Sequence, residues 1–363
     1  MESRAAVWLG PETGLEIRTI RVDEPGPGRV RVKLHACGLC HTDQSVLDGS
    51  LPSAGPIVMG HEGGGVVEAI GDGVNSLAVG DHVVMTTSGY CGRCYWCIEG
   101  QFSQCANMPL RSGGTGAPPF HLGDVDLSPY ASVGCLTEYT VVGERSAVRI
   151  DPEVPLDSAA LLGCGVYTGV GSAINTAKVR PGTSCAVWGA GGIGLSAIQG
   201  CRISGASKIV AIDTNPRKLA LAQTVGATDV IDASSQDPVQ EVFGLTEGRG
   251  ADYTFEAIGN PQAMEQAHMG VRNGGTCTIV GVGGFTDTFS LPAAAFALSE
   301  KTLKGSFIGG GASNRDFPRM LNWYKEGKLK LDELVTTRYP LDDAQKAFDD
   351  MVAGKNARGV IVF

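Results

Sequence analysis

Residues Cys185-Ala186-Val187-Trp188 run directly into Gly189-Ala190-Gly191-Gly192-Ile193-Gly194, and a helical pattern follows over 191–203. Taken alone, G-x-G-x-x-G is equally a ligand-free tight turn between a strand and a helix. Roughly 20 residues further on, a second apolar run ends at Asp213, the place where an acid meets the ribose of a bound dinucleotide. The physics requires each part: small residues let the backbone approach a pyrophosphate, and the helix start offers it free N–H donors. Gly189, Gly191, Gly192, Ile193, Gly194 and Asp213 are therefore the candidate dinucleotide contacts. A carboxylate at 213 accepts bonds from both ribose hydroxyls and repels a 2′-phosphate, which favours NAD over NADP; Arg217 and Lys218 nearby keep NADP open.

On the C-terminal side of the turn the rhythm persists. Apolar runs at 185–188, 208–212, 229–231, 252–257 and 276–282 alternate with helical stretches at 191–203, 215–225, 238–245 and 261–271. Strands apolar on both faces, separated by helices, predict a doubly wound parallel sheet. Before the turn the pattern differs. Short β-type runs at 4–9, 15–22, 30–37, 65–70 and 81–86, separated by Pro- and Gly-rich turns, predict a compact antiparallel β domain. Two amphipathic helices at 317–326 and 341–352 and a strand-like 359–363 close the chain.

The 363 residues carry a net charge of −9. Their scattered Lys and Arg leave no footprint for a polyphosphate backbone, so nucleic acid is not an expected partner. The start MESRAAVWLG lacks the basic segment and apolar core of a leader, and no apolar run is long enough to span a bilayer. A cytoplasmic protein is expected, in which eleven cysteines are not a disulfide framework.

Four of those cysteines form C-x2-C-x2-C-x7-C: Cys91, Cys94, Cys97 and Cys105. Four thiolates on a short lobe close a tetrahedron around Zn²⁺ and leave no position for chemistry, so the reading is a structural zinc. An iron–sulfur cluster competes, though the Cys-Pro continuation is missing, and paired disulfides come third.

Three further segments carry metal-ligand types: Cys40 in Gly38-Leu39-Cys40-His41-Thr42-Asp43, His61 in Gly60-His61-Glu62, and Cys164 in Gly163-Cys164-Gly165. Two thiolates and one imidazole leave a fourth position free, as in a catalytic zinc site. Singly each is ambiguous; Cys164 between glycines equally reads as a small buried hydrophobe. Together with the four-cysteine lobe, Gly163-Cys164-Gly165-Val166-Tyr167-Thr168-Gly169, the glycine turn with Asp213, Lys304-Gly305 and Ala357-Arg358-Gly359, they make the chain resemble the zinc-dependent medium-chain alcohol dehydrogenases over nearly its whole length.

The resemblance implies a GroES-like β-rich catalytic domain (1–165, with the zinc lobe at 91–105), a Rossmann domain (166–308), a return to the catalytic domain (309–363), and an active site in the cleft where strand order reverses. It implies two Zn²⁺ per chain and NAD. Cys40, His61 and Cys164 would hold the catalytic zinc, with Glu62 an adjacent or transient ligand and Asp43 orienting His61. Thr42 would accept the alcohol proton, although the same side chain suits an N-cap of the short helix that follows. His41, Lys218 and Arg358 would contact the pyrophosphate or adenosine ribose, and Val282 the cofactor. Many relatives carry a proton-relaying histidine where this chain has Ser45.

The matched segments put Thr42, Leu51, Thr87, Tyr130, Val282 and Phe307 along the substrate channel. Thr87 stands where relatives often carry a bulky aromatic, which suggests primary alcohols that are large or aromatic, unless Tyr130 or Phe307 fills the space. The expected reaction is reversible hydride transfer between such an alcohol or its aldehyde and NAD. A mycothiol- or glutathione-dependent formaldehyde dehydrogenase shares the motif order and stays open, as does a non-catalytic binding protein on the same scaffold. Family members form homodimers or homotetramers through edge pairing of their Rossmann sheets.

Overall fold

A computed structural model describes residues 1–53, 55–112 and 116–363. The chain divides into two compact units, one made of 1–164, 312–327 and 331–363 and the other of 165–311 and 328–330.

The first unit is β-rich. The strands Glu2–Trp8, Leu15–Val22, Phe120–Leu122, Val125–Pro129 and Ile57–Val58 close into a small barrel. Its interior holds Ala5, Val7, Ile20, Val22, Val58, Phe120 and Leu127, the inward half of each alternating strand. A seven-stranded sheet lies beside it, with Arg29–Gly38 central and paired to Glu62–Ile70, Tyr139–Gly143 and Arg358–Val362. The domain is not purely antiparallel as expected. Val335–Pro340 and Arg358–Val362 are parallel, with the helix Ala344–Val352 between them in sequence, and Ile57–Val58 pairs parallel with Val125–Pro129. Phe348 and Met351 of that helix are buried in the same core as Val32, Met59, Val83 and Ile361.

The second unit is a six-stranded parallel sheet ordered Asp229–Asp232, Lys208–Asp213, Ser184–Trp188, Ala251–Glu256, Val271–Ile279, Thr302–Gly305. Chain order reverses beside Ser184–Trp188, which makes the end of that strand the switch point of the sheet. Three of its helices start alike: Asn215-Pro216, Asp237-Pro238 and Asn260-Pro261, with each Asn or Asp side chain accepting a backbone N–H of the first turn. Some elements lie outside the sequence expectation, among them an edge strand and a buried helix. Thr302–Gly305 adds the edge strand, and Gly165–Gly171 forms a fully buried helix.

Candidate active site and metal centres

The helix His41–Leu47 follows the central strand of the first unit, with Cys40 as its N-cap. The Cys40 N–H donates to the Asp43 carboxylate at 3.3 Å, so Asp43 closes the helix start. Thr42 lies inside the helix and exposed, which removes the N-cap alternative for it. His61 immediately precedes Glu62–Ile70, and its Nδ1 lies 3.0 Å from the other oxygen of Asp43, a carboxylate with no exposure. That contact assigns the ring proton to Nδ1 and leaves Nε2 as a ligand atom.

Cys40, His61, Glu62 and Cys164 each bring one donor atom to a group lying within 4.8 Å of one another. These donors compete for protons. A hydrogen bond from Cys164 holds Cys40 far below the usual thiol range, helped by His61 and Arg358, while Cys164 is pushed well up in turn. Burial pushes Glu62 up to about 7 against the pull of the adjacent Arg358 guanidinium. A soft, mixed N/S donor set short of protons fits a divalent zinc ion, whose binding would displace the proton shared by the thiols.

The second cluster is Cys91, Cys94, Cys97 and Cys105. All four are free thiols, with Sγ–Sγ separations of 3.6 Å (94 to 97) and 3.9 Å (94 to 105), well beyond a disulfide bond. These separations match the ~3.8 Å edge of a tetrahedron with Zn–S bonds near 2.3 Å. The Asn107 amide donates to Cys91 and lowers it to about 5, whereas burial raises Cys97 to about 12. Replacing Cys97 with Ser is expected to release this ion and lower the melting temperature by roughly 5–10 °C. Metal analysis of the folded variant, read beside its melting curve, checks both.

In the second unit Gly189 to Gly194 joins Ser184–Trp188 to the helix Gly192–Ile203. A Cβ on Gly194 would lie 1.7 Å from the Gly189 carbonyl oxygen, so the turn itself demands glycine there. Gly191 is different: a Cβ on it would meet nothing within 4 Å. The space above that backbone is open, as a pyrophosphate requires. Asp213 accepts the Ala190 N–H at 2.8 Å and the Asn215 N–H at 2.9 Å, which fixes its carboxylate beside the turn.

Residues 26–152 match the alcohol dehydrogenase GroES-like domain, and residues 192–326 match the zinc-binding dehydrogenase domain. The S-(hydroxymethyl)glutathione dehydrogenase of Synechocystis sp. is 40% identical over 99% of this chain and 100% of its own length. The class-3 alcohol dehydrogenase of Myxine glutinosa is 38% identical over 99% and 97%. The chain belongs to the zinc-dependent medium-chain alcohol dehydrogenase family. Among solved structures, benzyl alcohol dehydrogenase from Acinetobacter calcoaceticus superposes with a TM-score of 0.94 at 33% identity, covering 100% of this chain and 99% of its own. Family membership makes the chain an NAD-dependent zinc oxidoreductase, and the two donor clusters fit one catalytic and one structural ion.

Other residues expected to serve this dehydrogenase are scattered by the fold. Thr42, Leu51, Thr87 and Tyr130 lie in the first unit, with Leu51 packed on the core and Thr87 only 4% exposed. Val282 and Phe307 lie in the second unit, where Val282 is 84% exposed. His41 is exposed at its helix start, and Lys218 is half-buried on the helix Pro216–Val225. Arg358, expected at the cofactor, is buried and ion-paired with Glu62, while its Nε has no partner. Ser45 hydrogen-bonds to the His41 carbonyl at 3.0 Å. The Tyr130 hydroxyl donates to the Thr42 carbonyl at 3.1 Å. The pairings of Arg358 with Glu62 and Tyr130 with Thr42 carry no local sequence signal, because nothing in either partner's neighbourhood encodes the other. Among the described residues no helix is long and apolar enough to cross a membrane.

Proposed function

We propose that this dehydrogenase interconverts primary alcohols, bulky and aromatic ones included, and their aldehydes with NAD. One observation carries the reading: Cys40, His61 and Cys164 converge beside the Thr42 hydroxyl, which lies 3.4 Å from the Cys40 sulfur. A Zn²⁺ held by those three residues would supply a Lewis acid with an open coordination position.

The chain's own groups do the rest. Asp43 fixes the His61 tautomer and ring plane. The exposed Thr42 hydroxyl takes the proton of the substrate hydroxyl. Glu62, tied back by Arg358, keeps a carboxylate adjacent to the ligands. The helix start at Gly191 to Gly194 would receive the pyrophosphate and Asp213 the ribose hydroxyls, with His41 and Lys218 supplying cations and Val282 a further cofactor contact. Thr87 is small and buried, and this supports a substrate wider than ethanol.

A second reading, oxidation of a thiol–formaldehyde adduct, is favoured by the relatives named S-(hydroxymethyl)glutathione dehydrogenase, two of them 40% and 41% identical over 99% of this chain. Steady-state rates separate the two. On the first reading KM falls about three- to fourfold per added methylene from ethanol upward, since each buried CH₂ contributes about 0.8 kcal/mol, and added thiol changes nothing. Turnover of formaldehyde only with glutathione or mycothiol, and none of the larger alcohols, establishes the second.

We also infer a homodimer or homotetramer formed through Thr302–Gly305, the edge strand of the parallel sheet. Phe285 and Leu298, both more than four-fifths exposed in the same unit, support it. A cytoplasmic location is supported by eleven cysteines all free of disulfides.

A further inference from the structure

The segment that carries Tyr130 is held in an unfavourable backbone conformation. Ala131 and Ser132 sit consecutively at φ 49° and 65°, in the left-handed region that residues with a Cβ avoid. Two such residues in succession persist only where the surroundings over-determine them, and they gather at functional sites. Here the surroundings are identifiable. The N–H groups of Val133 and Gly134 both donate to the Tyr130 carbonyl, at 2.9 and 3.0 Å. The Ser132 hydroxyl donates to Pro109, and the Thr140 hydroxyl to Val133 at 2.6 Å.

That clamp aims one side chain. The Tyr130 ring meets the His61 imidazole edge to face, with centroids 5.6 Å apart and planes at 75°. Its hydroxyl continues past the ring and donates to the main-chain carbonyl of Thr42 at 3.1 Å. Thr42 needs such a tether. It lies in a helix of seven residues, too short to be stable by itself, and on an exposed face of it. Cys40 and Asp43 pin that helix on the side of the donor cluster. Among the described residues the Thr42 side chain has a hydrogen bond only from the Cys40 thiol, and a thiol is a weak donor.

We propose that Tyr130 is a positioning residue: its phenol fixes the Thr42 backbone, and with it the proton-accepting hydroxyl, relative to the ring of His61. This goes beyond lining a substrate channel, and it rests on the proposed role of Thr42. A channel wall discriminates among substrates by size. A tether acts on turnover alike for all of them.

The test uses the full-length zinc-loaded enzyme with Tyr130→Phe, Thr42→Val and the double variant. Tyr130→Phe keeps the ring and deletes only the hydroxyl. It is expected to lower kcat about three- to tenfold, by the same factor for ethanol, hexanol and benzyl alcohol, with each KM unchanged within about twofold. In the Thr42→Val background the same substitution is expected to cost nothing further, because the group being positioned is gone. Hydrogen exchange of the amides at 42–46 is expected to accelerate about three- to tenfold in Tyr130→Phe without any change in the amides of the parallel sheet. The proposal is overturned by losses that add in the double variant, by losses graded with substrate size through KM, or by unchanged exchange at 42–46. If the wild type turns over no alcohol, the functional reading fails by itself, and the exchange measurement still decides whether the tether exists.

Discussion

His61→Ala is expected to lower alcohol turnover by roughly a thousandfold and to reduce bound zinc from two ions per chain to one. The imidazole is the single nitrogen donor in a cluster otherwise made of two thiols and a carboxylate. Without it the ion loses the ligand that Asp43 orients from behind. A Lewis acid supplies several kcal/mol of charge stabilisation in the transition state, and about 4 kcal/mol corresponds to three decades of rate. The substitution also leaves Asp43 buried without its imidazole partner, which weakens the fold around it. Asp43→Asn provides the graded comparison. It retains the imidazole but no longer accepts its proton as an anion, and a loss of about 10- to 100-fold in zinc affinity or activity is expected. Metal analysis of folded protein, with kcat measured at saturating zinc, reads both variants. Two zinc ions and full turnover in His61→Ala would remove this cluster from the reaction.

The second large effect comes from applying one substitution at two positions of the same turn. Gly194→Ala puts a methyl carbon 1.7 Å from the Gly189 carbonyl oxygen, so the turn must open. Overpacking of this kind costs about 1–3 kcal/mol, or roughly 5 °C in melting temperature. NAD affinity is expected to fall at least 100-fold, because the displaced backbone is the one that would approach the pyrophosphate. Gly191→Ala has the opposite character. Its methyl meets no protein atom within 4 Å and its φ of −77° suits alanine, so the melting temperature is expected to hold within about 2 °C. NAD binding should still weaken about tenfold, since the methyl occupies space reserved for phosphate. Calorimetric titration with NAD beside thermal melts separates the two. Unchanged NAD affinity in Gly191→Ala would show that the phosphates bind elsewhere.

Legibility of the site and fold in the sequence follows the range of the interaction that shapes each part. The C-x2-C-x2-C-x7-C lobe is legible because its four sulfurs lie within fifteen residues and converge on one point. The glycine turn is legible for the same reason: strand, turn and helix are consecutive, and Asp213 is the end of the next strand. Apolar runs marked every strand of the parallel sheet except Thr302–Gly305, whose Thr-Leu-Lys-Gly has no apolar run. The helix Gly165–Gly171 was hidden by its own composition, since glycine disfavours helix in isolation. Packing overrides that preference: a Cβ on Gly169 would lie 2.3 Å from the Ile193 carbonyl oxygen, so small residues are what let this helix lie against its neighbour. The parallel pairing of Val335–Pro340 with Arg358–Val362 was equally unreadable, because strand direction depends on where the intervening helix lies.

By itself the sequence determined which residue types stand at which spacing: four thiols within one short lobe, a glycine turn between a strand and a helix with an acid beyond it, and single Cys, His and Cys residues in family surroundings. These follow from residue type and covalent spacing, which do not depend on the fold. Only the tertiary structure decided who acts on whom. It brought Cys40, His61 and Cys164 to one point from three separate segments, set Arg358 against Glu62 across 296 residues, and laid Tyr130 on the Thr42 carbonyl across 88. Such pairings are selected by burial. A charge or hydroxyl removed from water must find a partner wherever the sheets and loops place one, and sequence distance has no part in that choice.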